Sequence, residues 1–269
     1  MNISFLGAGR MTRALIEGLL KTNNGAFAPH DIIVTSPSGV SAKRLAEEFG
    51  ITAVTSNNEA IAAASTIILC MKPAQTVAAL TAVQQKLKNK LLVSMAAGIP
   101  SKDLFQAAGG DARILRAMPN TAVRVGKGTI VFSRHSSATE EDFLSVKKLF
   151  SHCATVEEVS EDKLNTVTAL SGSGPAFALL FLEGLMEAGI KGRLEGTLAR
   201  SLAAHTLEAA AALVLNTNQS PQELRAEITS PNGTTAAGLQ VLQESTFSKI
   251  VEQAVEAARY RAQELARIF

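Results

Sequence analysis

The chain has 269 residues, ample for two domains; 46% are hydrophobic, as in ordinary globular proteins, and 4% are aromatic with no tryptophan. Formal net charge is +2, with 26 basic and 24 acidic side chains scattered among one another, so no basic face marks nucleic-acid or membrane-surface binding. The longest uninterrupted apolar runs, such as 175–182 and 209–215, are too short to span a bilayer, and no membrane partner is expected.

A buried strand reads over 2–6, almost at the first residue, so no signal peptide is expected. Gly7-Ala-Gly9 then makes a turn into an apolar-periodic helix over 11–22. This is the opening of a G-x-G-x-x-G dinucleotide fingerprint, with Thr12 where a third Gly or Ala is usual. The first Gly permits the tight turn, and the second lets backbone approach a pyrophosphate at the helix N-terminus.

Strands follow at 32–36, 52–55, 66–71, 91–95, 113–117, 128–132 and 154–159. Amphipathic helices read between them at 41–49, 58–64, 76–88, 102–108 and 140–152, with Ser41, Ser101 and Thr139 as start signals. Alternation at this rate predicts an α/β unit with a mainly parallel sheet covered on both faces, its last two strands at one edge. After about residue 160 the strand pattern stops. Helices read over 163–190, interrupted by Ser171-Gly-Ser-Gly-Pro175, and over 194–216, 222–229, 235–244 and 248–268. Domain boundaries are therefore expected at 1–158, a Rossmann-type dinucleotide domain, and 159–269, an all-helical one. So Ala-rich a bundle buries a thin core alone, which points to packing against a second copy.

The turn after the second strand, Thr35-Ser-Pro-Ser38, lacks the acid that would hold a ribose 2′-hydroxyl, and Lys43 and Arg44 follow it. A carboxylate would repel a 2′-phosphate, whereas hydroxyls and cations accept one, so NADP(H) is favoured, with NAD(H) as the alternative. Asn57 reads as a helix cap or as a contact to the adenosine half. Two further strand ends, Cys70-Met-Lys-Pro73 and Ser94-Met-Ala-Ala-Gly98, are placed where ligands of parallel sheets bind. The two cysteines, Cys70 and Cys153, read as buried free thiols of a reducing cytoplasm, and the four histidines show no metal-ligand spacing, so no metal is expected.

Two polar, Gly-containing segments interrupt the helical half: Ser171-Gly-Ser-Gly-Pro-Ala176 and Ser230-Pro-Asn-Gly-Thr-Thr235. The second leads into a helix N-terminus suited to a carboxylate. Together with Gly7-Ala-Gly9, Met71-Lys-Pro73, Ser94-Met-Ala-Ala-Gly98 and Arg116-Ala-Met-Pro-Asn-Thr121, in that order, they make the chain resemble the pyrroline-5-carboxylate reductases, from residue 1 to about 265. The resemblance implies a cytoplasmic oxidoreductase of proline biosynthesis with a helical dimerisation domain, a homodimer and a ring of dimers up to a decamer. It assigns Leu6, Gly7, Ala8, Gly9, Arg10 and Met11 to the pyrophosphate turn, Ser36 to the 2′-phosphate and Asn57 to the cofactor. Cys70, Met71, Lys72 and Pro73, with Met95, Ala96 and Ala97, would lie along the nicotinamide ribose and ring. Glu161, Thr234 and Thr235 would bind the substrate, with Thr235 catalytic and both threonines facing the partner subunit's cofactor. The chain departs from the family in carrying Asn232 where Gly is usual and Glu227 where some members have Asn; Glu227 is left outside the site. A β-hydroxyacid dehydrogenase or another imine reductase, with Lys163 handling the proton, is the alternative enzyme. A non-catalytic NADP-binding module is the alternative outside enzymes.

Overall fold

The computed structural model describes residues 2–22 and 28–268. In chain order come β1 (Ile3–Leu6), α1 (Arg10–Thr22), β2 (Ile32–Thr35), α2 (Val40–Phe49), β3 (Thr52–Ala53) and α3 (Asn57–Ala63). Then follow β4 (Thr66–Leu69), α4 (Pro73–Thr81), β5 (Leu91–Ser94) and α5 (Ser101–Ala107). β6 (Arg113–Pro119), β7 (Gly128–Arg134), α6 (Glu140–Phe150) and β8 (Ala154–Glu158) complete an eight-stranded sheet of order β3-β2-β1-β4-β5-β6-β7-β8. β1 to β6 pair in parallel, β7 runs antiparallel to β6, and β8 pairs in parallel with β7 at the edge.

Residue alternation along the strands builds two cores, because successive side chains leave a strand on opposite faces. Ile3 and Phe5 join Leu15 of α1, Leu45 of α2 and Phe150 of α6 on one face. Leu6 joins Ile61 of α3, Leu80 of α4 and Leu104 of α5 on the other. Ser4 turns toward α3, where its buried hydroxyl donates to the Ala60 carbonyl at 2.6 Å.

Helix starts refine the sequence reading. Thr139 caps α6 as expected, and the structure adds a reciprocal box to Asp142. Ser41 does not cap α2: Gly39 stands there at φ +73°, and Ser36 accepts from the Ala42 N–H at 3.2 Å instead. Ser101 is the first residue of α5 rather than its cap, which is Pro100. The helix expected over 76–88 starts earlier, at Pro73, and ends at Thr81, with a 3₁₀ turn at Gln84–Lys86.

Beyond β8 run a 3₁₀ turn at Glu161–Lys163, α7 (Leu164–Val167) and a π-helical turn at Thr168–Gly172, where the Ser/Gly segment was expected to break the helix. The Asn120 amide, at the end of β6, donates to the Ser171 carbonyl at 3.2 Å and holds that turn. α8 (Gly174–Lys191), α9 (Gly196–Asn216), α10 (Pro221–Glu227), α11 (Thr234–Glu244) and α12 (Phe247–Ile268) follow. By internal contacts one compact unit runs to Gly172 and regains the chain from Ala258; the other is Ser173–Ala257.

The helical unit hides little of its apolar surface. α8 buries none of its residues, and α9 buries only Ala199 and Ala203. Leu180 is 70% exposed, Leu202 50% and Val241 68%. A groove of about 400 Å³ is lined by Phe177, Phe181, Leu185, Phe247, Ile250 and Val251. Whole helices weigh differently from the uninterrupted apolar runs read in the sequence. Uninterrupted apolar runs are short, yet Glu161–Lys191 and Gly196–Asn216 are long and apolar enough, by length and composition, to cross a membrane. Small residues between the large ones supply the difference.

Candidate active site

The site begins where the strand order reverses, with β1 flanked by β2 and β4. Gly7 has φ +105°, and a Cβ there would stand 2.8 Å from the Cys70 carbonyl oxygen, so only glycine fits. Its N–H donates to the Thr35 carbonyl at 3.0 Å, which ties the turn to the end of β2. A Cβ on Gly9 would meet nothing within 4 Å, so the backbone there is open toward a diphosphate. Thr12 is fully buried and donates to the Gly7 carbonyl at 2.7 Å. Thr12 thus fastens helix to turn by a hydrogen bond where the usual fingerprint relies on a glycine's close packing. The Cys70 thiol lies beside the Thr12 hydroxyl; burial pushes its pKa up to about 12, against that hydrogen bond, and keeps it neutral.

A cleft of about 380 Å³ opens from this turn, between Ser36, Asn57, Met71 and Gln75. Ser36 is 7% exposed, and because its oxygen accepts from Ala42, its O–H remains to donate. None of the described residues lining the cleft is acidic. Asn57 is not the cap of α3: Ser56 is, accepting from the Glu59 N–H at 3.3 Å. The Thr55 and Ser56 hydroxyls each donate to Glu59 at 2.9 Å, and with the Thr55 N–H they hold that carboxyl below its ordinary pKa. Asn57 is thereby left to line the cleft. An acid-free pocket lined by Gly7 and a buried serine donor at the end of β2 fits a dinucleotide carrying a 2′-phosphate.

Cys70 and Met95 are pinned where the sheet ends: their N–H groups donate to the Leu6 and Leu69 carbonyls, each at 2.9 Å. Met95 and Ala96 are buried, in the cores on the two opposite faces of the sheet, and Ala97 is half-buried. Lys72 is exposed and caps α4, whose first residue is Pro73. Leu6 to Met11, Ser36, Asn57, Cys70 to Pro73 and Met95 to Ala97 thus gather at the carboxyl ends of neighbouring strands.

The residues expected for substrate divide differently. Glu161 follows β8, and its carboxylate is taken by the Ser101 N–H at 2.7 Å, the Ser101 hydroxyl and an Arg116 Nη1 at 2.6 Å. Burial pushes its pKa up, but the Ser101 and Arg116 donors outweigh that and hold it below the ordinary value. Thr234 and Thr235 open α11 in the helical unit, both exposed. Gly233, before them, supplies no side-chain cap, so the N–H groups of the first turn point outward. Asn232 adopts φ +59°, the left-handed conformation that Asn accepts more readily than most residues, so the loop keeps a turn where the family has Gly. Glu227 accepts from the Gln219 amide. Lys163 is exposed in the turn after β8. Sequence reasoning missed Thr55, Ser56 and Gln75 of the cleft, and Ser101 and Arg116 as the partners of Glu161. The first three stand within three residues of ones it did name, but nothing in the sequence joins positions 101, 116 and 161.

Sheet, turn and cleft define a Rossmann-type, dinucleotide-dependent oxidoreductase with a helical C-terminal half. Comparison with known proteins agrees in both halves. Residues 2–98 match the NADP oxidoreductases described as coenzyme F420-dependent, and residues 161–265 match the pyrroline-5-carboxylate reductase dimerisation region. The chain is 36% identical to a pyrroline-5-carboxylate reductase of Arabidopsis thaliana over 98% of its own length and 95% of that protein's. It is 35% identical to one of Corynebacterium melassecola, over 98% of each chain. A crystal structure of Plasmodium falciparum pyrroline carboxylate reductase with NADP bound superposes with a TM-score of 0.89 at 29% identity, covering 99% of this chain and 98% of that one. This chain belongs to the pyrroline-5-carboxylate reductase family.

Proposed function

We infer that the protein reduces 1-pyrroline-5-carboxylate to L-proline with NADPH, the final step of proline biosynthesis. The observation that carries this is the full-length likeness to pyrroline-5-carboxylate reductases, through both the dinucleotide half and the dimerisation half. The acid-free cleft at Ser36 supports NADP(H), with NAD(H) as a weaker alternative.

Bound NADPH supplies the hydride that goes to the imine carbon. The chain's own task is to hold two reactants in register and neutralise a carboxylate; orientation of that kind contributes several kcal/mol, up to about 10 in favourable cases. Thr234 and Thr235 N–H groups, at the uncapped start of α11, take the substrate carboxylate. The Thr235 hydroxyl donates to the ring nitrogen and is the catalytic group. Solvent supplies the proton that leaves a secondary amine, since a threonine hydroxyl is too weak an acid to give it. Leu6 to Met11 hold the diphosphate, Ser36 the 2′-phosphate and Asn57 the adenosine half. Cys70 to Pro73 and Met95 to Ala97 wall the nicotinamide end.

Self-association follows from the dimerisation region. A ring of dimers reaching a decamer is the larger assembly proposed. A second copy, rather than lipid, covers the apolar faces of α8 and α9, and neither nucleic acid nor membrane is a partner. The protein works in the cytoplasm, and its functional boundary lies at 158/159, between the last strand and the dimerisation region. The test is NADPH oxidation with pyrroline-5-carboxylate beside β-hydroxyacids and other cyclic imines. Turnover confined to the first is expected; its absence rejects the assignment. Thr235→Ala should lower kcat/KM for the imine at least tenfold, and a value within twofold of wild type removes Thr235 from the mechanism.

A further inference from the structure

The Gly7 carbonyl stands just ahead of α1, where a regular helix would offer it the Met11 N–H; no such bond forms. The Thr12 hydroxyl takes it instead at 2.7 Å and is its only donor among the described residues. Thr12 is wholly buried, so this hydrogen bond lies on the core side of the turn. The peptide joining Gly7 to Ala8 is planar and trans, and its C=O and N–H therefore point in opposite directions. A carbonyl turned inward to Thr12 leaves the Ala8 N–H turned outward. Ala8 is half-buried and Gly9 exposed, and the N–H groups of both find no acceptor among the described residues. Two adjacent free donors at the mouth of a helix suit an anion.

The other contacts of Gly7 stop short of that peptide plane. Its N–H is held by the Thr35 carbonyl at 3.0 Å, and its α-carbon faces the Cys70 backbone, where a Cβ would stand 2.8 Å from the carbonyl oxygen. Both anchor the residue ahead of the plane. The rotation after it is one that a glycine leaves permissive, so the Thr12 hydroxyl is what sets it. The usual fingerprint has Gly or Ala at this position, neither of which carries a donor. The lock is a property of this chain's own sequence.

We propose that Thr12 is a positioning residue for the cofactor: by holding the Gly7 carbonyl inward it aims the Ala8 N–H at the diphosphate of NADPH. The proposal rests on the NADPH-dependent reductase reading above and deepens its cofactor half.

The experiment compares the full-length wild type with Thr12→Val, which keeps the branching but removes the donor, and Thr12→Ser, which keeps the donor. NADPH affinity comes from fluorescence titration. Adenosine 2′-monophosphate, which has the 2′-phosphate but no diphosphate, is measured by competition. Thr12→Val should weaken NADPH tenfold or more, as loss of a hydrogen bond to a charged group does. Adenosine 2′-monophosphate should stay within twofold of wild type, and so should KM for the imine at saturating NADPH. Thr12→Ser should remain within threefold of wild type for both ligands. Equal weakening of both ligands in Thr12→Val would mean a cleft loosened as a whole and would overturn the proposal. NADPH affinity within twofold of wild type, even with a lowered Tm, would confine Thr12 to stability and overturn it equally. If Thr12→Val does not fold, Thr12→Ala decides by the same two ligands. A wild type that binds NADPH without turning over the imine rejects the reductase reading and leaves this inference standing; one that does not bind NADPH overturns both.

Discussion

The two halves of the chain solve the same problem in opposite ways. The sheet unit is covered on both faces by its own helices, and Phe5, Phe132 and Phe150 are wholly buried in it. The helical unit has apolar residues of the same kind, yet α8 buries none of them, and Leu180, Leu202 and Val241 stand half or more exposed. At roughly 25 cal/mol per Å² of apolar area, surface left in water forgoes the main favourable contribution to folding. A helical half that matches a dimerisation region regains that contribution from a second copy. One half is a self-sufficient binding scaffold, and the other is a fold finished by association.

The largest effect expected from breaking this contrast is at Leu180. Leu180→Glu puts a charge on a side chain that is 70% exposed in a single chain, so the protomer should keep its helicity by circular dichroism. Sedimentation should show the dimer replaced by monomer, and a loss of imine reduction of at least a hundredfold is expected on the proposal that Thr235 faces the cofactor of a second copy. A variant that stays dimeric would move the interface off α8.

Gly7→Ala should be the severest change in the sheet unit. It sets a Cβ 2.8 Å from the Cys70 carbonyl oxygen at φ +105°, and strain of both kinds together costs about 2–4 kcal/mol. A Tm lowered by about 5–10 °C and a loss of NADPH binding of tenfold or more in fluorescence titration are expected, with the dimer intact. Dissociation of the Gly7→Ala protein would show that the halves are not independent.

The smallest effect concerns acid stability. Folding lowers the pKa of Glu161 from its ordinary value of 4.5, so its carboxylate stabilises the native state fully above that value and loses this contribution as pH falls through the lowered one. The Tm of wild type should exceed that of Glu161→Gln at pH 6 and converge on it below pH 4. About 1–2 kcal/mol is at stake, less than for a fully buried pair, because the Glu161 side chain is 35% exposed. A gap that persists unchanged into acid would mean that the charge is irrelevant there.

The sequence was informative wherever a signal is local. Eight strands were legible from apolar runs between turns, and Gly7-Ala-Gly9 from its place between a strand and a helix. Thr139 announced the start of α6, where the partner acid Asp142 lies three residues on and closes a capping box. Helix starts without such a partner misled: Ser41 stands inside α2, and the cap of α3 is Ser56, which frees Asn57. The substrate loop was legible only through its likeness to a family, since hydroxyls and glycines in a row specify no ligand by themselves. Its Asn232 does keep a left-handed turn, as Asn allows.

By itself, then, the sequence determined the class of fold, the place of the dinucleotide turn, the preference for a 2′-phosphate and, through ordered motifs, the family. Each of these depends on residues near one another in the chain or on fixed motif spacing. Tertiary structure alone decided that Thr12 fastens the turn through the Gly7 carbonyl, that α8 and α9 are left uncovered by their own chain, and that Glu161 spends its carboxylate on Ser101 and Arg116. The reason is the same in all three cases. A hydrogen bond or a buried face depends on which atoms folding brings within about 3 Å, or within van der Waals contact: the turn sets that for Thr12, helix packing for α8 and α9, and strand order for residues as far apart as 101, 116 and 161.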